Sequence, residues 1–259
     1  MSLSGFNNMM KRTLFYLVLV HAILYSCLSW SGVSAERTRV IMSLDQREAS
    51  LLLVNLNSYP VITQVWVDDG RPGGTPEAAQ APVMPLPPVF RLESQESETL
   101  RLLFTKQNLP QDKESLYWLN IYEVPPLPTS LGKEKEGEDL VAVTLQTQMK
   151  VILRPESLDM TLEQAAESVS ITQKGDQIEI SNLSPYYLTL TYMKINDDTQ
   201  DVLSLGEPML SPFSSQSFEL PANYAATLID QIGYGWIDDD GIMHQRKQAV
   251  KNEISIITQ

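Results

Sequence analysis

From Arg37 onward the chain alternates short apolar runs with turn-forming residues. RVIMSL, SLLLVNL, ITQVWVDD, VFRLE, TLRLLF, SLYWLNIYEV and LVAVTLQTQMKVIL are seven such runs, separated by clusters of Asn, Asp, Gly, Pro and Ser at the short spacing of a β-sandwich. Tyr59-Pro60 and the stretch from Asp69 to Gly74 read as turns, with glycine supplying positive φ and proline a fixed φ. APVMPLPP, 81–88, cannot be a central strand, because each proline lacks a donor. After Arg154-Pro155 a second set follows: SVSITQ, GDQIEISNL, YYLTLTYMKI, PMLSPFSSQSFEL and KNEISIITQ. These runs are shorter and more polar, and they predict a second, smaller sandwich. TLEQAAESV, 161–169, fits a short turn of helix or a polar loop. The pattern predicts an all-β chain of two domains, 36–155 and 156–259, meeting near Pro155.

The first 35 residues stand outside that pattern. Lys11 and Arg12 precede TLFYLVLVHAILYSCLSW, an apolar run without a charged residue, and Val33-Ser34-Ala35 offers a small-residue cleavage site. The run is long enough to span a bilayer, but the small-residue site favours a secretory signal peptide over residues 1–35. Cleavage after Ala35 would leave 224 residues and remove Cys27, the only cysteine. The mature chain would then enter an oxidising compartment with no disulfide, held by core packing and strand pairing alone. Stable membrane insertion after signal cleavage is not expected.

Charge narrows the classes further. The mature chain would carry 17 Lys and Arg against 32 Asp and Glu, which makes nucleic acid an unsuitable partner. The excess is uneven: residues 36–155 hold 12 basic and 16 acidic groups, and residues 156–259 hold 5 and 16. Enzymatic chemistry has little to work with. His21 leaves with the leader, His244 sits alone in the polar segment IMHQRK, and there is no GxSxG, GxGxxG or phosphate-binding glycine loop. Asp238-Asp239-Asp240-Gly241 lacks the later oxygen ligands of a calcium loop and reads as an acidic turn. Asp68-Asp69 before Gly70 reads as turn chemistry. Nothing calls for a catalytic residue, a metal or a cofactor.

Two features stand out. In LVAVTLQTQMKVIL, Val141, Val143 and Leu145 alternate with Ala142, Thr144 and Gln146, so one face carries a row of branched apolar knobs. This is either an ordinary core strand or, because a charged loop leads into it, a strand whose first half is an exposed edge open to a partner. Arg39 in the first apolar run and Lys150 late in the last are cations among residues that otherwise favour burial. Each could snorkel to the surface. Brought together in a cleft, they would make a carboxylate socket, with Arg39 giving a two-pronged hydrogen bond.

ERTRVIM (36–42), LPPVFRLES (86–94), LPQDKESLYWLNIYEVPP (109–126) and LQTQMKVILRP (145–155), in that order, resemble the periplasmic chaperones of chaperone-usher pilus assembly. IEISNLSPYYLTL and MLSPFSSQSFELP extend the resemblance, more loosely, into the second half. It implies two immunoglobulin-like sandwiches in a boomerang arrangement. It also implies a periplasmic, non-enzymatic chaperone that lends the last strand of its first domain to an incomplete pilus subunit and delivers the subunit to an outer-membrane usher. On that resemblance Val141, Val143 and Leu145 fall on the donated knobs, Arg39 and Lys150 on the anchors of the subunit's terminal carboxylate, and Glu114, Arg154 and Asp230 on an interdomain charge network. IDQIGYGW, 229–236, departs from the family's Asn-Asp-Tyr-Gly pattern at the last of these. The loop 127–139 is longer than in the short-loop branch but lacks the paired cysteines of the long-loop branch, which favours a rod-type pilus. Lys150 is odd in offset from Leu145, so a bulge or a different role for the lower strand is expected if both assignments hold. The alternative without the resemblance is a secreted adhesive or structural sandwich.

Overall fold

The computed structural model describes residues 16, 32–105, 108–126, 143–196, 202–203, 209–222, 224 and 227–252. Its first domain contains β1 (Val33–Ala35), β2 (Arg39–Ser43), β3 (Glu48–Asn55), β4 (Val61–Asp68), β5 (Val83–Leu86), β6 (Val89–Leu92), β7 (Ser97–Phe104), β8 (Ser115–Val124) and β9 (Leu145–Arg154). They form a four-stranded sheet, β1-β3-β7-β5, and a five-stranded sheet, β2-β9-β8-β4-β6. Period-two alternation explains the packing. Leu51, Leu53, Leu100 and Leu102 of the first sheet and Val65, Leu119, Ile121, Val151 and Leu153 of the second are buried in one cluster, while the alternate residues of each strand lie on the opposite face of its sheet, where Trp66, Asn120 and Ile152 are buried as well. Pro85 lies in β5 at the free edge of its sheet, where a missing donor is tolerated.

The second domain holds α1 (Leu162–Glu167), β10 (Ser170–Lys174), β11 (Gln177–Ser181), β12 (Leu188–Ile195), β13 (Val202–Leu203), β14 (Met209–Leu210), β15 (Ser215–Glu219), β16 (Gln231–Ile237) and β17 (Met243–Asn252). The open choice at 161–169 resolves to a helix. Thr161 accepts from the Gln164 backbone N–H and the Gln164 side chain accepts from the Thr161 backbone N–H, closing a capping box on a six-residue helix. The strands run in the order β13-β12-β16-β17-β10-β11-β15, with β14 also on β12. β17 pairs antiparallel with β16 along Met243–Ala249 and then parallel with β10 at Val250–Asn252, so one strand joins both layers of the sandwich. The two domains are tandem immunoglobulin-like sandwiches in a boomerang-like arrangement.

Alternation did not predict every strand. QIGYGWI contains two glycines and MHQRKQAVKN is largely polar, yet they form β16 and β17, because pairing with β12 and β10 supplies what the local pattern does not. The expected strand KNEISIITQ contributes only Lys251 and Asn252 to β17, and 253–259 lie outside the described residues. In β12 the register slips between Leu190 and Tyr192, a bulge. A Cβ on the facing Gly235 would lie 2.2 Å from Thr191 Oγ1 and 2.6 Å from the Tyr192 ring, so only glycine fits beneath the bulge.

The expected start of the first domain needs correction. Val33–Ala35 forms β1, paired with Leu53–Asn55, and Val33 is buried in the core. Gly32 N–H donates to Asn57 Oδ1 at 2.9 Å and Val33 N–H to Glu123 Oε1 at 2.9 Å. A cut after Ala35 would delete this strand and strip Glu123, itself buried, of a donor. Val33-Ser34-Ala35 thus fits both a small-residue cleavage pattern and a paired strand. A chain beginning at Glu36 should therefore melt below one beginning at Gly32, by about 4 to 12 °C for the loss of about 2 to 3 kcal/mol of burial and hydrogen bonding. Equal melting temperatures by calorimetry would show that β1 adds nothing.

Candidate functional site

The site forms where the outer face of the five-stranded sheet turns toward the second domain. β2 runs parallel to β9 with Arg39 opposite Lys150, and β8 sets Trp118 on the other side of Lys150. Chain distance hides this pairing, which only a parallel contact between the first and last strands of that sheet produces. Arg39 is 7% exposed, and its Nε is a buried donor with no hydrogen-bond partner. Lys150 Nζ donates to Thr189 Oγ1 of β12 across the interdomain cleft at 2.8 Å and lies 6.0 Å from the centroid of the Trp118 ring. Desolvation depresses Arg39, opposed by the nearby Asp239 and Asp238 carboxylates. Desolvation, helped by the Arg39 charge, lowers Lys150 to about 8. The two adjacent cations are each disfavoured by desolvation, and a nearby anion would relieve both.

Behind this pair a polar row stiffens the sheet. Asp68, 4% exposed, accepts from Trp66 Nε1 at 2.9 Å, Asn120 Nδ2 at 2.8 Å and the Gly70 N–H at 2.8 Å. Asn120 Oδ1 in turn accepts from Gln146 and Gln148 of β9, each at 2.8 Å. Pairing of β8 with β9 runs from Ser115–Leu153 to Glu123–Leu145 with no shift in register. The bulge expected between Leu145 and Lys150 is therefore absent. None is needed, because the two residues belong to opposite faces: Lys150 points to the cleft, and Leu145 continues the line of Met149, Val151 and Leu153.

That line changes character along the strand. Met149, Val151 and Leu153 are buried, whereas Leu145 is 47% exposed and Val143, just before the strand, is 65% exposed. The run expected from 140 begins as β9 only at Leu145, and Val141 lies outside the described residues. Core-facing apolar positions thus emerge into solvent at one pole of the first domain.

Arg154, at the other end of β9, ties the domains together. Its Nε donates to Glu114 Oε1 at 2.6 Å, and its two terminal nitrogens donate to the Asp239 carboxylate at 2.6 and 2.8 Å. Glu114 has a fully buried side chain and also accepts from the Tyr187 N–H of the second domain at 2.6 Å. Burial pushes the Glu114 carboxyl up, opposed by Arg154 and the Tyr187 N–H. Burial also works against the Arg154 charge, but Asp239 and Glu114 outweigh it and hold that pKa above its ordinary value. The second-domain carboxylate is therefore Asp239, not the expected Asp230, which is exposed and contributes its backbone carbonyl to Val250. Asp239 was missed because Asp238-Asp239-Asp240-Gly241 was read as an isolated acidic turn, although it keeps aspartate and glycine where Asn-Asp-Tyr-Gly has them. Asp238 does close that turn, accepting from the Asp240 and Ile242 N–H groups and meeting His244 Nε2 at 2.6 Å. A Cβ at Gly241 would lie 2.8 Å from Thr38 Oγ1, so the turn is seated directly on the start of the first domain. Among the described residues no group of three or more His, Cys, Asp or Glu could hold a metal ion.

Comparison with known proteins gives the same outline. Residues 32–159 match the family model described as pili and flagellar-assembly chaperone, PapD N-terminal domain, and 164–248 match that for the C-terminal domain of the pili assembly chaperone PapD. The chain is 31% identical over 209 residues to the chaperone protein FimB/FhaD of Bordetella pertussis, covering 79% of this chain and 82% of that one. It is 30% identical over 191 residues to the chaperone protein MrkB of Klebsiella pneumoniae, covering 73% and 80%. Among solved structures it is similar to the Pseudomonas aeruginosa CupB2 chaperone, with a TM-score of 0.66, 30% identity and coverage of 83% and 100%.

Two measurements test the site's electrostatics. Arg154→Ala strands the buried Glu114 charge and should cost about 3 to 5 kcal/mol of stability. Asp239→Asn should cost about 1 kcal/mol at its more exposed position, and Asp230→Asn should fall within about 0.5 kcal/mol of wild type. Denaturation curves ranking Asp230 above Asp239 would reverse the assignment. Lys150 titrates near 8 when folded and near 10.5 when unfolded. Below pH 8 both states hold the proton and the burial penalty is constant. Between 8 and 10.5 the unfolded state binds more protons, so this contribution to stability rises with pH. The stability of wild type relative to Lys150→Met should accordingly be flat below pH 7 and shift in favour of wild type from pH 8 to 10. A flat difference across that range would contradict the depressed pKa.

Proposed function

The chain belongs to the pilus-assembly chaperones of the chaperone-usher family, matched in both domains, and on that premise we propose that it captures incomplete pilus subunits in the periplasm and delivers them to an outer-membrane usher. The observation that carries this reading is β9, whose one strand presents an apolar row leaving the core at Leu145 and a cationic anchor at Lys150 on its other face. A subunit lacking its final strand exposes a backbone edge and an apolar groove. A lent strand satisfies both at once, with its hydrogen bonds on the edge and Val141, Val143 and Leu145 in the groove. Arg39 and Lys150 would hold the subunit's terminal carboxylate, and the unpartnered Arg39 Nε supports that role. Glu114, Arg154 and Asp239 would hold the angle between the domains. No nucleotide or cofactor is called for. The leader is best placed with its cut between Ser31 and Gly32, where Ser29 and Ser31 supply small residues and β1 stays intact. Family membership displaces the adhesive-sandwich alternative.

Burying a carboxylate is costly unless its oxygens are hydrogen-bonded, and truncating one partner of such a pair costs about 2 to 5 kcal/mol. Arg39→Ala or Lys150→Ala should stay folded yet capture a cognate pilin more than tenfold more weakly. Arg39→Lys should lose less, since an ammonium keeps the charge but not the planar fork. Leu145→Glu should abolish a purifiable heterodimer. Titration of a pilin with a free or amidated terminus isolates the anchor: equal affinity for the two would remove the carboxylate socket from the mechanism.

A further inference from the structure

One buried carboxylate of the first domain serves neither the cleft nor the domain junction. Glu123, on β8, is 4% exposed, and none of the ion pairs among the described residues includes it. Its Oε1 accepts from the Val33 N–H at 2.9 Å, but its Oε2 has only Asn57 Nδ2 at 3.5 Å, the outer limit of a hydrogen bond. Thr63 pairs with Glu123 across the ladder, is buried, and has an Oγ1 with no hydrogen-bond partner. Cross-strand partners share a face, so a charge and a hydroxyl that both lack partners lie side by side. A carboxylate taken out of water needs a counter-charge or several strong donors, and neutral groups here supply one good donor and one marginal one.

The entry of the chain into the fold runs past this carboxylate. Gly32 N–H donates to Asn57 Oδ1 at 2.9 Å and Gly32 C=O accepts from the Leu56 N–H at 2.9 Å, so the residue is held from both sides. A Cβ on Gly32 would stand 3.3 Å from Glu123 Oε1 and 3.9 Å from Oε2, which puts the nitrogen on the same Cα within about 6 Å of the carboxylate. As a peptide amide that nitrogen has a single N–H, and Asn57 takes it. As a free terminus it would have three, with a positive charge. The bond to Asn57 survives that change, and two donors and a cation are added where Glu123 lacks them.

We propose that Glu123 and Asn57 form a binding site for the chain's own terminal ammonium, completed when the leader is cut between Ser31 and Gly32. The inference rests on the cut placed there in the functional reading and gives that cut a receptor. A cut after Ala35 would remove the Gly32 and Val33 donors altogether. A cut one residue upstream would carry the charge about 3.5 Å along the chain, away from the carboxylate. The site is therefore selective for one terminus. Glu123 pairs with Leu145, the first residue of β9, so the ion pair would fasten the start of the chain to the pole where the apolar row emerges.

The test compares two full-length mature chains, one beginning at Gly32 and one at Ser31, each released from an N-terminal fusion by a specific protease and each made with and without Glu123→Gln. The Ser31 chain keeps Gly32 as an amide bonded to Asn57, and glutamine keeps an oxygen for the Val33 N–H, so the comparison isolates the charge pair. The chain beginning at Gly32 should melt at least about 4 °C above the chain beginning at Ser31 at pH 7, and the difference should fall below about 1 °C in the Glu123→Gln background. Equal melting temperatures for the two chains with Glu123 intact would overturn the inference, and that comparison stands even should Glu123→Gln fold poorly. A difference of the same size in both backgrounds would overturn it as well, since the charge pair would then have no part in it. Mass spectrometry of the chain exported to the periplasm tests the cut itself: a terminus other than Gly32 overturns the cut and this inference with it, whereas a Gly32 terminus with equal melting temperatures overturns this inference alone.

Discussion

A fully buried carboxylate at a domain boundary cannot stand alone, and Glu114 meets its requirement by drawing on both halves of the molecule. It takes a guanidinium from the end of β9 and a backbone N–H from the second domain. Arg154 then has fork geometry to spare and spends it on Asp239. Because each member is satisfied only by the others, the three groups and Tyr187 specify one relation between the sandwiches. The Thr38–Gly241 contact and the Glu114 N–H bond to the Pro185 carbonyl reinforce it. The cleft has a defined width because this junction does, and Lys150 reaches Thr189 only at that width.

β9 concentrates the consequences. One face is core at its end and exposed at its start. The other carries Gln146 and Gln148 in the Asp68–Asn120 network, then Lys150, Ile152 and Arg154. A rigid polar row behind the strand is compatible with lending its apolar face, since the hydrogen bonds that fix its register to β8 do not involve that face. Donation of a strand requires that the donor not move with what it donates, and the register from 115–153 to 123–145 is continuous.

Much of this was legible in the residues. Alternation located seven of the nine strands of the first domain, all but β1 and β5, and the apolar row at 143 and 145 and the cations at 39 and 150 stood out by being where their chemistry did not fit a plain sandwich. What was hidden has physical reasons. Parallel pairing of β2 with β9 brings distant residues together without leaving any local trace. Asp239 looked like turn material because turn and ion-pair roles use the same residue type, and Asp238 fills the first while Asp239 fills the second. β16 and β17 escaped notice because glycines and polar residues make a strand only where neighbours on both sides supply the ladder. The helix at 162–167 did carry a signal, Thr161 followed three residues later by Gln164, in a segment too short for periodicity to help.

Gly32 enters the fold beside Glu123, and a Cβ there would lie 3.9 Å from the Leu145 side chain. The beginning of the folded chain and the exposed beginning of β9 thus occupy the same pole. A side chain at position 32 would press on the Glu123 carboxylate and on the exposed end of β9 together, because Gly32 sits at a φ of +107° and its Cβ would stand 3.3 Å from Glu123 Oε1.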